Sequence, residues 1–186
     1  VSQFRPTILV GVSGQPGSFT ENLIRTMHAA VERPIVLTLS NPTSKVEARP
    51  EHLLSWTNGA AIIGTGSPFA PVTYDGVVHH IGQCNNAFVF PGIGLGAIVV
   101  GARTLPDEAF AAAAMALYRE TGTDSMPGAS IFPPIRSLRA VSAKVAVAVG
   151  RALVDCGAAP PMAPEEIEAQ VADEIWEPKY LQYRTE

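Results

Sequence analysis

The stretch IVLTLSNP at residues 35–42 decides the fold, because it is a nearly continuous apolar run that ends in small polar residues and a proline. Two similar stretches lie on either side of it, TILVGVSG at 7–14 and AIIGTGSP at 61–68. Continuous runs rich in β-branched residues are typical of strands that are covered on both faces, as in a parallel sheet. The three stretches therefore predict three strands of one parallel sheet.

The segments between these strands carry helical signals. Ser18 and Glu21 are spaced as a capping box, and apolar residues then recur on one helix face. Pro50 suits the first position of a second helix, which Gly59 can end. The order β-α-β-α-β over residues 1–70 predicts a Rossmann-like α/β fold whose parallel strands are joined by right-handed crossovers.

The remainder of the chain changes character twice. Residues 71–90 are predicted to form a hairpin and an Asn-rich loop, because Asp75-Gly76 is a strong signal for a type I′ turn. Residues 91–186 show helical periodicity in several segments, so we expect C-terminal helices there.

The glycines of GIGLGA at 92–97 admit two interpretations. One is a dinucleotide-binding fingerprint, which needs a strand before it within a βαβ unit. An Asn-rich loop and Pro91 precede the glycines instead. We therefore expect a helix that opens at Pro91, with glycines that allow close packing against the sheet.

Composition excludes several classes of partner. The 186 residues are 47% hydrophobic and 16% charged, with a net charge of −4 and no clustering of basic residues, which argues against nucleic acid and anionic membranes. The longest apolar stretch is too short to span a bilayer, and no signal peptide is recognisable. Cys84 and Cys156 lie far apart without a C-x-x-C pair, which favours reduced thiols in the cytoplasm.

Candidate binding residues follow from the predicted topology. The carboxyl ends of parallel strands meet at one edge of the sheet, where ligands of open α/β sheets bind. The residues that reach this edge are small or polar: Ser13, Gly14, Ser40, Asn41, Gly66 and Ser67. From spacing alone, Asn41 is either a turn residue before Pro42 or a ligand contact through its amide.

Catalytic groups are not recognisable in the chain. No Ser-His-Asp arrangement, acidic metal cluster or Lys/Tyr acid-base pair occurs at a credible spacing, so we assign no catalytic residue and no metal ligand. The paired amides of CNNAF at 84–88 either satisfy loop backbone or bind a carboxylate or carboxamide.

Four segments occur in a specific order and spacing. They are RPTILVGVSGQPGSFTENLIRTM (5–27), ERPIVLTLSNPTSKVEA (32–48), IIGTGSPFAPV (62–72) and GQCNNAFVFPGIGLGAIVVGAR (82–103). Together they resemble the C-terminal part of the malic enzymes, and LSNPTSK.E and NNAFVFPG are the most specific motifs. The resemblance implies that residues 1–186 are the C-terminal portion of the family's NAD(P)-binding domain.

Malic enzymes oxidise L-malate with NAD or NADP and decarboxylate it to pyruvate and carbon dioxide, with Mg or Mn as Lewis acid. The resemblance implies this activity for a larger chain, and a homo-oligomer, dimer or tetramer. It also implies roles for residues of the sheet edge and the paired amides. The cofactor-binding set is Ser13, Gly14, Ser40, Asn41 and Gly66, and the substrate-binding set is Asn41, Asn85 and Asn86.

The family's catalytic Tyr and Lys, its acidic metal ligands and its Gly-rich fingerprint belong to segments that precede Val1. We therefore expect the 186 residues alone to be inactive. One alternative is an inert half-domain that binds a nucleotide or serves in assembly. A stand-alone Rossmann-like binding protein is disfavoured, because three strands leave a sheet edge that needs cover.

Overall fold

The structure, a computed structural model, describes residues 1–121 and 128–176. The chain divides into two compact units. The first comprises Val1–Asn86 and the described part of Tyr118–Leu138, and the second comprises Ala87–Leu117 and the described part of Arg139–Glu186. Residues 122–127 and 177–186, both in the segment predicted to be helical, lie outside the described residues.

A parallel sheet forms the centre of the first unit, which confirms the predicted fold class. Its strands are β1 (Ile8–Gly11), β2 (Ile35–Thr38), β3 (Ile62–Thr65) and β6 (Gly82–Gln83), in the order β1-β2-β3-β6. Ile8 pairs with Ile35, and Ile35 pairs with Ile62, so the first three strands are in register. Their carboxyl ends consequently lie at the same edge.

Strand β6 was not expected from the sequence. It pairs Gly82 with Gly64 and Gln83 with Thr65, inside the segment predicted to be only hairpin and loop. A two-residue strand is too short to show periodicity, which explains the omission. Gly64 leaves room for the side chain that follows β6, because a Cβ there would lie 2.3 Å from Sγ of Cys84.

Helices α1 (Glu21–His28) and α2 (Pro50–Trp56) connect the first three strands. Thr20, rather than Ser18, caps α1, so the predicted capping box is wrong by two residues. The stronger helix signal was the apolar stripe, which buries Ile24 and Met27. These residues pack in a core with buried side chains of α2, the sheet and the connecting segments: Phe19, Val36, Ala48, Leu53, Leu54, Ala61 and Ile63.

Strand β1 is more exposed than β2 and β3. Ile8 and Val10 are 51% and 52% exposed, while Gly11 at the end of the strand is buried. Within the described residues, β1 is therefore covered mainly on one face.

The hairpin predicted around Asp75-Gly76 is present. Strands β4 (Val72–Tyr74) and β5 (Val77–His79) pair antiparallel. Asp75 and Gly76 have φ values of 47° and 78°, the left-handed conformation that a type I′ turn requires at both central positions.

The second unit is helical in its described residues. It contains α3 (Phe90–Val99), α5 (Leu138–Asp155) and α6 (Pro164–Glu174) almost entirely, and most of α4 (Asp107–Glu120). No helix among residues 1–121 and 128–176 has both the length and the apolar character needed to cross a bilayer.

The glycines of α3 pack against another helix, and not against the sheet as the sequence suggested. A Cβ on Gly92 would lie 2.7 Å from the Ser142 carbonyl oxygen, and one on Gly96 would lie 2.4 Å from that of Ala146. Both contacts are with the backbone of α5. Glycine at an i, i+4 spacing thus lets the two helices approach closely.

We expect Gly96→Ala to destabilise the protein by about 1–3 kcal/mol, because overpacking against a backbone carbonyl forces the helices apart. Gly94→Ala is the matched control in the same helix, since a Cβ there meets nothing within 4 Å. Its better helix propensity should stabilise by roughly 0.5–1 kcal/mol. Denaturant unfolding of both variants measures the difference, and equal stabilities would contradict the packing argument.

Thiol reactivity tests the placement of Cys84 beside β3. Burial raises the pKa of the Cys84 thiol to about 11, whereas Cys156 is exposed. Since the thiolate is the reactive form, iodoacetamide at pH 8 should alkylate Cys156 at least about tenfold faster than Cys84. Mass spectrometry of a time course gives both rates, and comparable rates would show that Cys84 is not enclosed as described.

Candidate functional site

The residues that follow the first three strands come together at the carboxyl edge of the sheet, as the sequence predicted. The Gly14 backbone N–H donates to Ser40 Oγ at 2.8 Å, which joins the segments after β1 and β2. The Ser67 hydroxyl donates to Asn41 Oδ1, which joins the segments after β2 and β3. We refer to Ser13, Gly14, Ser40, Asn41, Gly66 and Ser67 as the strand-end rim.

Glu47 organises one half of this rim and was not assigned a role from the sequence. Its Oε1 accepts from the Ser13 backbone N–H at 2.8 Å, from the Ser13 hydroxyl at 3.0 Å and from the Ser40 hydroxyl at 2.5 Å. The side chain is fully buried. The only sequence signal for Glu47 was its place as the acidic residue of LSNPTSK.E, a motif that shows no contact with Ser13.

Two opposing effects act on the Glu47 carboxyl. Burial raises its pKa, but the hydrogen bonds from Ser40 and Ser13 together lower it by more. The pKa of Glu47 therefore lies below its ordinary value. Glu47 is therefore a carboxylate at neutral pH. Its second oxygen, Oε2, is buried and accepts no hydrogen bond from the described residues.

The direction of these bonds fixes the Ser40 hydroxyl. Because a carboxylate only accepts, Ser40 Oγ must donate its proton to Glu47. A lone pair of the same oxygen then receives the Gly14 N–H. A single relay thus runs from the turn after β1, through the end of β2, to the buried carboxylate.

Asn41 lies on the other half of the rim and is exposed. Its Oδ1 is engaged by Ser67, while its Nδ2 donates to the Leu39 carbonyl at 3.4 Å, a long bond for an amide donor. The peptide bond to Pro42 is cis. The side chain therefore has one firm contact across the strands and one weak local contact.

Two rim glycines are glycine for different reasons. Gly14 has a φ of 64°, and a Cβ there would meet nothing within 4 Å, so its conformation and not crowding selects glycine. A Cβ on Gly66 would lie 2.2 Å from the Leu39 carbonyl oxygen and 3.0 Å from Asn41 Nδ2. Gly66 consequently lets the end of β3 approach the backbone that precedes Asn41.

Asn85 and Asn86 follow β6, the strand that the sequence did not predict. Because β6 is parallel to β3, these amides leave the sheet at the same edge as the rim. The Cys84 N–H donates to the Thr65 carbonyl at 2.8 Å and continues the pairing up to this point. Asn85 is half-buried, and Asn86 is exposed at the start of a single 3-10 turn, Asn86–Phe88.

A cleft of about 310 Å³ lies beside the start of α1, lined by residues of 16–20 and 43–49 together with His52 and Trp56. None of the predicted binding residues lines it. The structure therefore distinguishes the open rim, which gathers those residues, from a nearby cleft that does not contain them.

A metal centre does not fit the part of the chain that the structure describes. Within residues 1–121 and 128–176, no three His, Cys, Asp or Glu side chains are grouped so that they could hold a metal ion. The rim offers an open glycine turn with neighbouring hydroxyl and amide groups, which can hydrogen-bond the polar groups of a ligand.

Comparison with known proteins places this arrangement in a family. The sequence matches the family described as Malic enzyme, NAD binding domain, over residues 1–154. It is 48% identical over 184 residues to the NAD-dependent malic enzyme of Sodalis glossinidius, and 47% identical over 184 residues to that of Acinetobacter baylyi. These matches cover 99% of this chain but 33% and 32% of the relatives, so the chain spans about a third of their length.

Solved structures agree with the sequence match. The malic enzyme of Pyrococcus horikoshii superposes with a TM-score of 0.70 at 26% identity, over 90% of this chain and 34% of that one. The malic enzyme of Entamoeba histolytica gives a TM-score of 0.73 at 25% identity, over 91% and 32%. The resemblance drawn from the motifs is confirmed, and the chain belongs to the malic enzyme family through its NAD-binding domain.

Proposed function

We propose that the protein containing this chain catalyses oxidative decarboxylation of L-malate to pyruvate and carbon dioxide, with reduction of NAD. The observation that carries the proposal is the strand-end rim, where hydroxyl, amide and open glycine groups meet at the carboxyl edge of a parallel sheet. Such an edge is where ligands bind in open α/β folds. Relatives named NAD-dependent malic enzyme support both the reaction and the choice of NAD over NADP.

The cofactor is held, in this proposal, by Ser13, Gly14, Ser40, Asn41 and Gly66. Gly14 leaves space at the turn after β1 for a close approach of the ligand. When bound, NAD supplies the acceptor for the hydride that leaves malate. The chain's own residues orient that acceptor, since the Ser40 hydroxyl is locked between Gly14 and Glu47.

Malate is held by Asn41 together with Asn85 and Asn86. An amide N–H can donate to a carboxylate or hydroxyl oxygen, and an amide oxygen can accept from a hydroxyl. Ser67 holds Asn41 Oδ1, while the weak bond from Nδ2 to the Leu39 carbonyl leaves the amide N–H groups available to a ligand. These side chains bind and orient malate, a contribution that lowers the barrier through proximity.

The remaining chemistry is assigned to other parts of the protein. By resemblance to the family, the ligands of Mg or Mn and the acid-base Tyr and Lys lie in segments outside this chain. The described residues contain no cluster of three His, Cys, Asp or Glu side chains that could hold a metal ion. The partners are thus malate and pyruvate, the rest of the chain and, in a dimer or tetramer, further copies. Two free cysteines suit the reducing cytoplasm.

We expect the full-length protein to reduce NAD when malate and Mg²⁺ or Mn²⁺ are supplied, and the 186 residues alone to be inactive. Absorbance at the wavelength of reduced nicotinamide measures both. NAD binding without malate turnover by the full-length protein would instead favour the alternative, an inert nucleotide-binding or assembly module. Robust turnover by the verified 186-residue chain would contradict the assignment of acid-base groups to other segments.

Asn41→Ala in the full-length protein should lower kcat/KM for malate by an amount typical of losing one or two ligand hydrogen bonds, about 1–3 kcal/mol or roughly 5- to 150-fold. Asn22→Ala is the matched control, because Asn22 is an exposed amide on α1 and does not belong to the strand-end rim. An unchanged kcat/KM in Asn41→Ala would return Asn41 to the role of a turn residue.

A further inference from the structure

Two consecutive backbone amides at the turn after β1 are already used inside the protein. The Ser13 N–H donates to Glu47 Oε1, and the Gly14 N–H donates to Ser40 Oγ. Consecutive N–H groups at the start of a βα turn commonly bind ligand anions in α/β folds. Here they fix the turn itself, so its shape depends on Glu47 before any cofactor arrives.

The chain makes room for the Glu47 side chain at a specific point. A Cβ on Gly11 would lie 2.6 Å from both Cγ and Cδ of Glu47, and 2.8 Å from Cζ of Phe19. The backbone adds a further tie, because the Phe19 N–H donates to the Glu47 carbonyl at 3.1 Å. Glu47 is thus bound to the end of β1, to the turn after it and to the residues that precede α1.

Three donors converge on one oxygen of a fully buried side chain. They come from segments 34 and 7 residues distant along the chain. Removal of the Glu47 carboxylate would leave the Ser13 N–H and the Ser13 and Ser40 hydroxyls without their acceptor. The Ser40 hydroxyl would then be free to rotate away from Gly14. The groups affected, at Ser13, Gly14 and Ser40, are assigned to the cofactor alone. Asn41, which is assigned to malate as well as the cofactor, is held separately by Ser67.

We propose that Glu47 is a positioning residue for the cofactor, which sets the turn at Ser13 and Gly14 and the Ser40 hydroxyl without touching the cofactor itself. The inference rests on the proposed function, in that NAD is taken as the ligand of this rim. It predicts that a change at Glu47 alters the affinity for NAD more than it alters the KM for malate.

The test uses the full-length protein with Glu47→Gln, which keeps the size of the side chain but replaces the carboxylate with a neutral amide. We expect the dissociation constant for NAD, measured by calorimetry, to rise about tenfold, as for the loss of charge from shared hydrogen bonds. The KM for malate at saturating NAD should change by less than about twofold, since Asn41 keeps its own contact. Glu51→Gln is the control, because Glu51 is an exposed carboxylate on α2.

Hydrogen exchange gives a readout that does not depend on turnover. In Glu47→Gln, the peptide that contains Ser13 and Gly14 should exchange faster, while peptides from the second unit should not change. Ser40→Ala combined with Glu47→Gln should weaken NAD binding by less than the sum of the two single effects, because Ser40 and Glu47 share a hydrogen bond.

The outcomes separate this inference from the proposed function. If the unaltered protein binds NAD but does not oxidise malate, the proposed function fails, and the ratio of NAD affinities still tests Glu47. If malate is oxidised but Glu47→Gln binds NAD as the unaltered protein does, the inference is overturned. Faster exchange throughout the chain, with equal losses for NAD and malate, would also overturn it by showing a general structural role.

Discussion

The carboxylate of Glu47 is the constraint on which the carboxyl edge of the sheet depends. Burying a charge is costly unless its lone pairs are satisfied, and here one oxygen accepts three hydrogen bonds from the ends of two strands. Hydrogen bonds to a charged acceptor contribute roughly 1.5–3 kcal/mol each, which offsets desolvation. These hydrogen bonds stabilise the buried charge, and they also hold the ends of β1 and β2 in place.

The rim is consequently organised in advance by the protein. On one side, Ser40 is held between Glu47 and Gly14. On the other, Asn41 is held by Ser67. Although Ser40 and Asn41 are adjacent in sequence, their side chains belong to two separate hydrogen-bond networks. A fixed arrangement of polar groups lowers the entropy that a ligand must lose in ordering them, which is the usual advantage of a site built at strand ends.

Much of the fold followed from the sequence because its signals were long and redundant. The three apolar runs specified three parallel strands, and Asp75-Gly76 specified a hairpin through its required left-handed conformation. Strand β6 was not predicted because two residues show no period, although it brings Asn85 and Asn86 to the same edge of the sheet as the rim. The packing partner of Gly92 and Gly96 was also wrong, since a glycine pattern records close approach but not which element approaches.

The position of the candidate site could be predicted from the sequence, but the hydrogen bonds that hold it together could not. Topology alone brings Ser13, Ser40 and Ser67 to one edge, because every parallel strand ends there. The link through Glu47 joins residues 34 positions apart and depends on side-chain orientation, for which a single sequence carries no periodic signal. The family resemblance marked the acidic position in LSNPTSK.E without indicating its partners.

The contact between Gly11 and Glu47 has an evolutionary consequence. A side chain at position 11 would collide with the carboxylate that fixes the turn, since even a Cβ would lie 2.6 Å from it. The two positions are therefore epistatic: a larger residue at 11 becomes acceptable only after 47 has become smaller, and that first step abandons the acceptor of Ser13 and Ser40. We therefore expect positions 11 and 47 to change together with Ser13 and Ser40 rather than one at a time.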